Sequence, residues 1–451
     1  MESTASINEL KVEVNNRQVL SIALPITLAI LVPQINLLIN SIFLGHVSNE
    51  ALGNAGITGV FYLIFAVAGH GLNNAMQTVF SKYAGSGKSE HFKSILSQGI
   101  RISLQLSFFF ILFTWVVSPL ILKQVANAST YPAEMSFLKI RILGLPFLYL
   151  FQMGNAFLVS SLNSRYLIIG FLCEALVNIL FDYFLIFGKA GFPMMGFNGA
   201  AVASVIAEFT GLIVVFGVIA LTGIKKKYHL LKGFKFDPII NKEIIKVAIP
   251  LVLQYLISVT TWLVFFLLIE TRGTMAKAIS NTMRNVFGLA GVFVWAFAGT
   301  SNTMVSNLIG QNREDMVLPI IRKISYWSIG LCLFMVAILN LFPIIFFRLF
   351  GQGEVFVQEG IPVIRVVSLG IMFMSIANIW LNGVTGTGKT KANLLIEIIA
   401  ITLYLCYTFY FMKYHYISLA IAWSNEFVYW TVIFAMSFWY MKSNKWKSVP
   451  R

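Results

Sequence analysis

Long apolar runs separated by short polar stretches set the pattern of this chain. Twelve such runs begin near residues 20, 53, 95, 140, 166, 198, 247, 278, 323, 361, 392 and 417, and each approaches the roughly 20 residues that cross a bilayer as a helix. They are too long for barrel strands and lack strict alternation. Within lipid an open sheet leaves backbone groups unpaired, whereas a helix satisfies its own. The pattern predicts an all-α polytopic membrane protein with twelve transmembrane helices.

Composition strengthens this reading. The chain is 58% hydrophobic and 11% charged, against roughly 25% charged residues in soluble domains. The net charge of +15 could suggest nucleic acid, but no basic stripe is interleaved with stacking aromatics. No nucleic-acid partner is expected. With the N-terminus placed inside, 23 of the 33 Lys and Arg residues fall in inside stretches, which predicts two cytoplasmic termini. The longest basic stretch opens with KKKYHLLKGFKFDPIINKE at 225–243. It divides the chain into an N-terminal six-helix bundle (1–224), a cytoplasmic linker (225–246) and a C-terminal six-helix bundle (247–451). Cys173, Cys332 and Cys406 lie inside apolar runs with no metal-ligand spacing, and read as small buried hydrophobes. The polar opening residues are not followed by a short apolar core with a small-residue cleavage site, so no cleaved signal peptide is expected.

The two halves repeat. NRQVLSIALPITL (16–28) aligns with NKEIIKVAIPLVL (241–253), placing Pro25 on Pro250. The same offset pairs Ala51 with Ala276, Thr78 with Thr303, Ser81 with Ser306 and Gly85 with Gly310, and an offset one shorter pairs Arg141 with Arg365 and Arg165 with Lys389. Matched Pro, Gly and charged residues carry more weight than matched apolar ones. Six spans per half give both halves one orientation, so a pseudo-twofold axis along the membrane normal should relate them. Parallel repeats of this kind are most often transporters that work by rocking.

One motif points elsewhere. NGVTGTGKT (382–390) fits G-x-x-x-x-G-K-[ST] at Gly383, Gly388, Lys389 and Thr390. A phosphate loop needs a strand before it and a helix N-terminus after it. IPVIRVVSLGIMFMSIANIWL (361–381) reads instead as a membrane helix, and the repeat sets Lys389 opposite Arg165, where no such pattern exists. The glycines are expected to end a helix and form a tight turn. A membrane NTPase is the remote alternative, since no linker is long enough for a nucleotide domain.

Several ordered patterns resemble one family. IALPITLAILVPQINLLINSIFLGH (22–46) is similar to a first helix with an early Pro, an Asn and a Gly near its outer end. NTMVSNLIGQNRED (302–315) and MQTVFSKYAGSGKSE (76–90) are similar to a cytoplasmic Q-x-x-G-A-G turn, NILFD (178–182) to an N-x-x-x-D in the fifth helix, and GFNGAAVASVIAE (196–208) to the opening of the sixth. Together they resemble the multidrug and toxic compound extrusion (MATE) family over nearly the whole chain. The resemblance implies a V-shaped pair of bundles and efflux of amphipathic organic cations by H⁺ or Na⁺ antiport.

Asp182 is the leading coupling candidate. An ionised carboxylate at membrane depth costs roughly 2.5–3.5 kcal/mol on insertion scales, and a bound cation or proton offsets that cost. Asn178 lies one turn earlier on the same face, and Asn36 and Asn40 form a second i, i+4 pair in the first helix. Pro33 is expected to kink that helix and free a carbonyl. The resemblance implies that Asp182 serves a proton- or sodium-responsive site and that Ser204 lies near it. Many relatives carry an Asp at the position of Asn40. The neutral Asn can ligate Na⁺ through its carbonyl but cannot take up a proton near neutral pH, which puts a two-carboxylate site in doubt. Some relatives use acidic residues in the seventh and tenth helices. Here Glu270 is at the outer end of the seventh, and the tenth offers Asn378 and Asn382 as cavity candidates. His70, Glu174 and Glu208 complete the cavity candidates, although Glu208 and its counterpart Glu426 suggest helix contacts first, as does Glu397. Arg284 could snorkel outward or repel cationic substrates.

The expected function is secondary active efflux of amphipathic, cationic organic compounds in exchange for H⁺ or Na⁺ by alternating access, with no enzymatic activity. No cofactor and no resident metal are expected beyond a transient Na⁺ at the coupling site. The expected partners are a small-molecule substrate and the lipid bilayer, with the chain a monomer in a bacterial inner membrane. A lipid-linked saccharide flippase of the same superfamily is the alternative, although it would favour extra helices and a basic cavity.

Overall fold

The structure, a computed structural model, describes residues 10–47, 49–125, 130–228, 230, 235–348, 353–414 and 417–447. The side chains of Ala51 and Glu270 fall outside the described set. The described residues include twelve long helices: α1 (Asn16–Val47), α2 (Asn49–Gly85), α3 (Phe92–Val116), α4 (Tyr131–Ser160), α5 (Leu167–Phe187), α6 (Phe197–Leu221), α7 (Pro238–Glu270), α8 (Thr274–Gly310), α9 (Val317–Leu341), α10 (Glu354–Gly386), α11 (Thr390–Phe409) and α12 (Asn425–Lys442). Among the described residues there are no strands. Among the described residues eleven helices are long and apolar enough to cross a membrane. The other long helix, α2, has 37 residues. A leading single turn of 3-10 helix at Ile142–Gly144 interrupts α4 ahead of Pro146.

Two helices start well before their apolar runs. α4 opens at Tyr131 through a segment bearing Glu134, Lys139 and Arg141. α7 opens at Pro238, within the stretch read as linker, and carries Lys242, Glu243 and Lys246 in its first turns. Asp237 supplies the start signal for α7. Its Oδ1 accepts from the amides of Ile239 and Ile240 at 3.1 Å each, satisfying orphan donors of the first turn, and Pro238 needs no donor there.

Two compact units result. One comprises Met1–Leu10 and Leu28–Val252, the other Lys11–Thr27 and Leu253–Arg451. Each division inside a helix falls shortly after a matched proline, Pro25 in α1 and Pro250 in α7.

The repeat is visible in backbone turns. The links α2–α3, α4–α5, α8–α9 and α10–α11 each contain one residue in the left-handed region: Gly87 (φ 72°), Leu162 (φ 59°), Asn312 (φ 59°) and Gly388 (φ 72°). In three of them the next amide reaches back five residues, Lys88 to Tyr83, Asn163 to Leu158 and Arg313 to Leu308, which is the Schellman closure of a helix end.

Within the first unit, α6 lies close on α5. Gly199, Ala203, Ala207 and Gly211 are buried at four-residue spacing, the small-residue pattern that lets membrane helices approach. A Cβ on Gly199 would stand 2.7 Å from the Leu185 carbonyl, and one on Gly211 would stand 3.4 Å from Glu174. These two contacts fix an antiparallel register that sets Ala203 against the turn of α5 holding Asp182.

Candidate functional site

Asn36 of α1 donates from Nδ2 to Asn178 Oδ1 of α5 at 2.7 Å. Further along the same two helices, Phe43 meets the edge of Phe187 with ring centroids 6.0 Å apart. α1 and α5 therefore run in parallel. Between those two contacts lie Asn40, one turn after Asn36, and Asp182, one turn after Asn178, so the register sets them at one level.

The polar capacity of this region is largely unspent. Asp182 is fully buried, and neither carboxylate oxygen has a hydrogen-bond partner among the described residues. Asn178 Nδ2, Asn36 Oδ1 and Asn40 Oδ1 are buried and unpartnered as well. A carboxylate and two amide carbonyls make an oxygen donor set suited to a proton or a hard cation.

A second polar cluster occupies the same unit. Arg141 of α4 forms a bidentate pair with Glu208 of α6, Nη1 to Oε2 at 2.8 Å and Nη2 to Oε1 at 2.6 Å. Tyr62 of α2 donates to Glu208 Oε1 at 3.0 Å, and its ring lies 3.8 Å beneath the guanidinium carbon. The fork geometry explains why arginine suits this position. Glu208, a cavity candidate by sequence, thus has its oxygens engaged by protein donors and sits at a helix contact. Gly144 is required here because any side chain would run into the Glu208 carboxylate. Glu174 is half-buried against Gly211 and makes no ion pair among the described residues. Among the described residues the unit therefore buries three carboxylates, Glu134, Asp182 and Glu208, with Glu174 half-buried alongside; Glu208 is paired with Arg141, and the oxygens of Glu134 and Asp182 have no hydrogen-bond partner.

The remaining candidates are dispersed. Ser204 is half-buried on α6 with no hydrogen bond to Asp182 among the described residues, and Ala203 rather than Ser204 holds the buried contact line. α1 continues as a helix through Pro33. His70 has an exposed side chain on α2, between Gly69, which packs on Tyr149 and Gln152, and Gly71, which packs on the backbone of Val252. Asn382 donates to the Asn378 side chain at 2.8 Å within α10. In the second unit Glu397 accepts from Tyr429 at 2.6 Å and from Gln254 at 3.2 Å, and Glu426 accepts from Trp430 at 3.0 Å. Arg284 stands 5.9 Å from the Phe266 ring centre. No group of three or more His, Cys, Asp or Glu residues that could hold a metal occurs among the described residues.

Sequence reasoning missed Arg141 and Tyr62 as site neighbours, using Arg141 only to mark the repeat. The available signal was the rule that a charge in an apolar run needs a partner, which should have joined it to a carboxylate of another apolar run, such as Glu208.

The phosphate-loop pattern lacks its setting. Gly383 and Gly386 lie inside α10, where their amides belong to the helix. A Cβ on Gly383 would stand 2.6 Å from Ile321, and one on Gly386 would stand 2.8 Å from Val305 and 2.9 Å from the Asn302 carbonyl. These glycines serve close helix packing, Gly388 makes the turn, and Thr390 begins α11 buried.

Twelve long helices in a repeated arrangement, with the Asp182 carboxylate buried and unpartnered among the described residues, are the features of a membrane transporter. The MatE family model matches twice, at residues 25–184 and 250–409, and the chain belongs to that family. Both matches carry the repeat offset inferred from Pro25 and Pro250. The chain is 25% identical over 398 residues to the "Probable multidrug resistance protein NorM" of Thermotoga maritima, covering 84% of this chain and 82% of that protein. It is 24% identical over 337 residues to the "Multidrug resistance protein MdtK" of Yersinia pestis, covering 74% and 72% respectively. Among solved structures, it matches an outward-facing multidrug resistance MATE family transporter of the MOP superfamily with a TM-score of 0.87 at 16% identity, over 99% of this chain and 100% of that one. It also matches a MOP superfamily transporter from Pyrococcus furiosus, described as having a binding pocket of reversed polarity, with a TM-score of 0.88 at 15% identity over 100% of both chains. The protein is thus an integral membrane transporter that acts on a small-molecule substrate.

Proposed function

We propose that the protein is a secondary active antiporter that exports amphipathic, cationic organic compounds in exchange for H⁺ or Na⁺ by alternating access. The observation that carries this reading is the buried Asp182 carboxylate with both oxygens unpartnered, beside the linked amides of Asn36 and Asn178. A fold that leaves a charge so placed gains most when a proton or cation arrives. Asp182 takes the proton or binds the cation. Asn178 and Asn36 hold the carboxylate's turn against α1, and Asn40 supplies a neutral carbonyl at the same level. Ser204 stays in this proposal as a nearby hydroxyl, and Pro33 as a residue without an amide hydrogen that leaves one earlier carbonyl of α1 without its helix donor. The multidrug names of the relatives support the substrate class.

The driving force suffices without nucleotide. About 100 mV is worth about 2.3 kcal/mol per charge, which at about 1.4 kcal/mol per decade supports a gradient of nearly 50-fold. Lysine and arginine placement supports cytoplasmic termini, and we place the protein, as a monomer of two six-helix bundles, in a bacterial plasma membrane. The test is export of a fluorescent organic cation from proteoliposomes under an imposed H⁺ or Na⁺ gradient. Equal export with both gradients collapsed would overturn the antiport reading.

A further inference from the structure

The second unit carries a groove of about 570 Å³ where the start of α1 meets α9. Its walls include Arg322, Lys323, Tyr326, Trp327 and Gly330 of α9 and Asn16 of α1. The α9 residues recur at i, i+1, i+4, i+5 and i+8, one face of the helix. The opposite face, with Val317, Ile320, Ile321, Ile324, Ser325 and Ser328, is buried. Trp327 donates from Nε1 to Asn16 Oδ1 at 3.4 Å, closing one side of the groove.

The groove is amphipathic along its length. At the α9 N-terminal end stand two cations, Arg322 and Lys323, which make no ion pair among the described residues, the neighbouring Asp315 included. One turn deeper are Tyr326, 73% exposed, and Trp327. Deeper still, Gly330 leaves open space beside the helix, with nothing within 4 Å of where a Cβ would be. Below it the same helix exposes Leu333 at 54% and Phe334 at 68%. Cations, then aromatics, then a bare apolar strip is the order of polarity met on descending through one leaflet.

We infer that this groove binds one anionic phospholipid. The phosphate lies between Arg322 and Lys323, the glycerol region lies against Tyr326 and Trp327, and an acyl chain runs over Gly330 toward Leu333 and Phe334. Arginine can meet phosphate oxygens in bidentate fashion, and basic pockets at the membrane surface suit anionic headgroups. The bound lipid would tie the start of α1 to α9 through the Trp327–Asn16 contact. This inference depends on membrane embedding alone and stands apart from the proposed ion coupling.

The test uses the full-length protein in neutral detergent, with thermal unfolding measured in phosphatidylglycerol and in phosphatidylcholine of the same acyl chains. Phosphatidylglycerol should raise Tm over phosphatidylcholine. The double variant Arg322→Gln with Lys323→Gln should lose at least half of that difference, and Gly330→Phe, which fills the apolar strip and keeps both charges, should lose a similar part. The charge-keeping pair Arg322→Lys with Lys323→Arg should retain most of it. An undiminished difference in both the glutamine double variant and Gly330→Phe would overturn the site. Glycerol 3-phosphate should give no shift, and a shift equal to that of the lipid would assign the cations to a soluble anion instead. Should a variant fail to fold, photocrosslinking of wild-type protein with an acyl-diazirine phosphatidylglycerol decides. Labelling within 326–338 supports the site, and labelling confined to other segments overturns it.

Discussion

Asn36 donates to Asn178 at 2.7 Å, and this bond sets Asn40 level with the Asp182 carboxylate one turn further along. A neutral amide thus stands where a second acid could share a proton. Two consequences follow for Asp182 itself. Asp182→Asn keeps the shape and removes an unpaired buried charge, so it should raise the thermal stability of the resting protein by about 1–3 kcal/mol. It should also reduce gradient-driven export at least tenfold. Unchanged export at normal expression would remove Asp182 from coupling, and a lower Tm would show that its oxygens are satisfied in the protein.

Asn40→Asp should alter the coupling rather than abolish it. Two carboxylates at one level cannot both ionise cheaply, so they share protons across a wider pH range. The substrate accumulation ratio at a fixed proton gradient should rise above that of the wild type. The measurement is accumulation in proteoliposomes across a series of imposed pH gradients. An identical dependence would place Asn40 apart from Asp182 in function.

The Arg141–Glu208 pair predicts strongly non-additive stability. Glu208→Gln leaves the guanidinium with a weakened acceptor, and Arg141→Met leaves the carboxylate with Tyr62 alone. Breaking one partner of a buried pair costs about 3–5 kcal/mol. The double variant Arg141→Met with Glu208→Met should recover most of that loss, because neither charge then needs a partner. Tm of the two single variants and the double variant checks this. Additive losses would show that the pair is not coupled in the way its geometry implies.

Much of this architecture was legible in the sequence, and the limits have physical causes. Apolar runs gave the twelve long helices because in lipid each must satisfy its own backbone. The starts of α4 and α7 were missed because charged residues such as Glu134, Lys139, Lys242 and Glu243 dilute hydropathy where the helix leaves the apolar region. The i, i+4 spacing put Asn36 with Asn40 and Asn178 with Asp182 on common faces, but only tertiary register joins the two pairs. Arg141, Glu208 and Tyr62 come from three helices, α4, α6 and α2. Their convergence has no local spacing to reveal it.

Asp237 gives a prediction with a definite pH sign. Partial burial disfavours its charge, but the amides of Ile240 and Ile239 and the Ser94 hydroxyl, at 2.8 Å, outweigh that and hold its carboxyl below the usual range. A group depressed in the folded state stabilises fully above its unfolded pKa of about 3.9 and loses that contribution as pH falls through the folded value. Asp237→Ala should therefore cost about 1 kcal/mol at neutral pH. The gap between variant and wild type should narrow as the pH is taken below about 4. A gap constant down to that acidity would mean that the carboxylate's charge does not contribute to the cap.

The 382–390 motif separates two accounts by the opposite ranking of its residues. In a phosphate loop Lys389 would be indispensable, because it reaches the phosphates, and Gly386 would be one of four variable positions. In the helix end seen here, Lys389 is exposed and Gly386 is pressed against Val305 and the Asn302 carbonyl. Lys389→Met should leave export within about twofold and stability within about 0.5 kcal/mol, as for surface changes generally. Gly386→Val should destabilise by about 1–3 kcal/mol or more, the usual range for overpacking. Export rate and Tm of the two variants give the ranking directly. Loss of function in Lys389→Met with tolerance of Gly386→Val would revive the nucleotide reading, which the buried glycines now oppose.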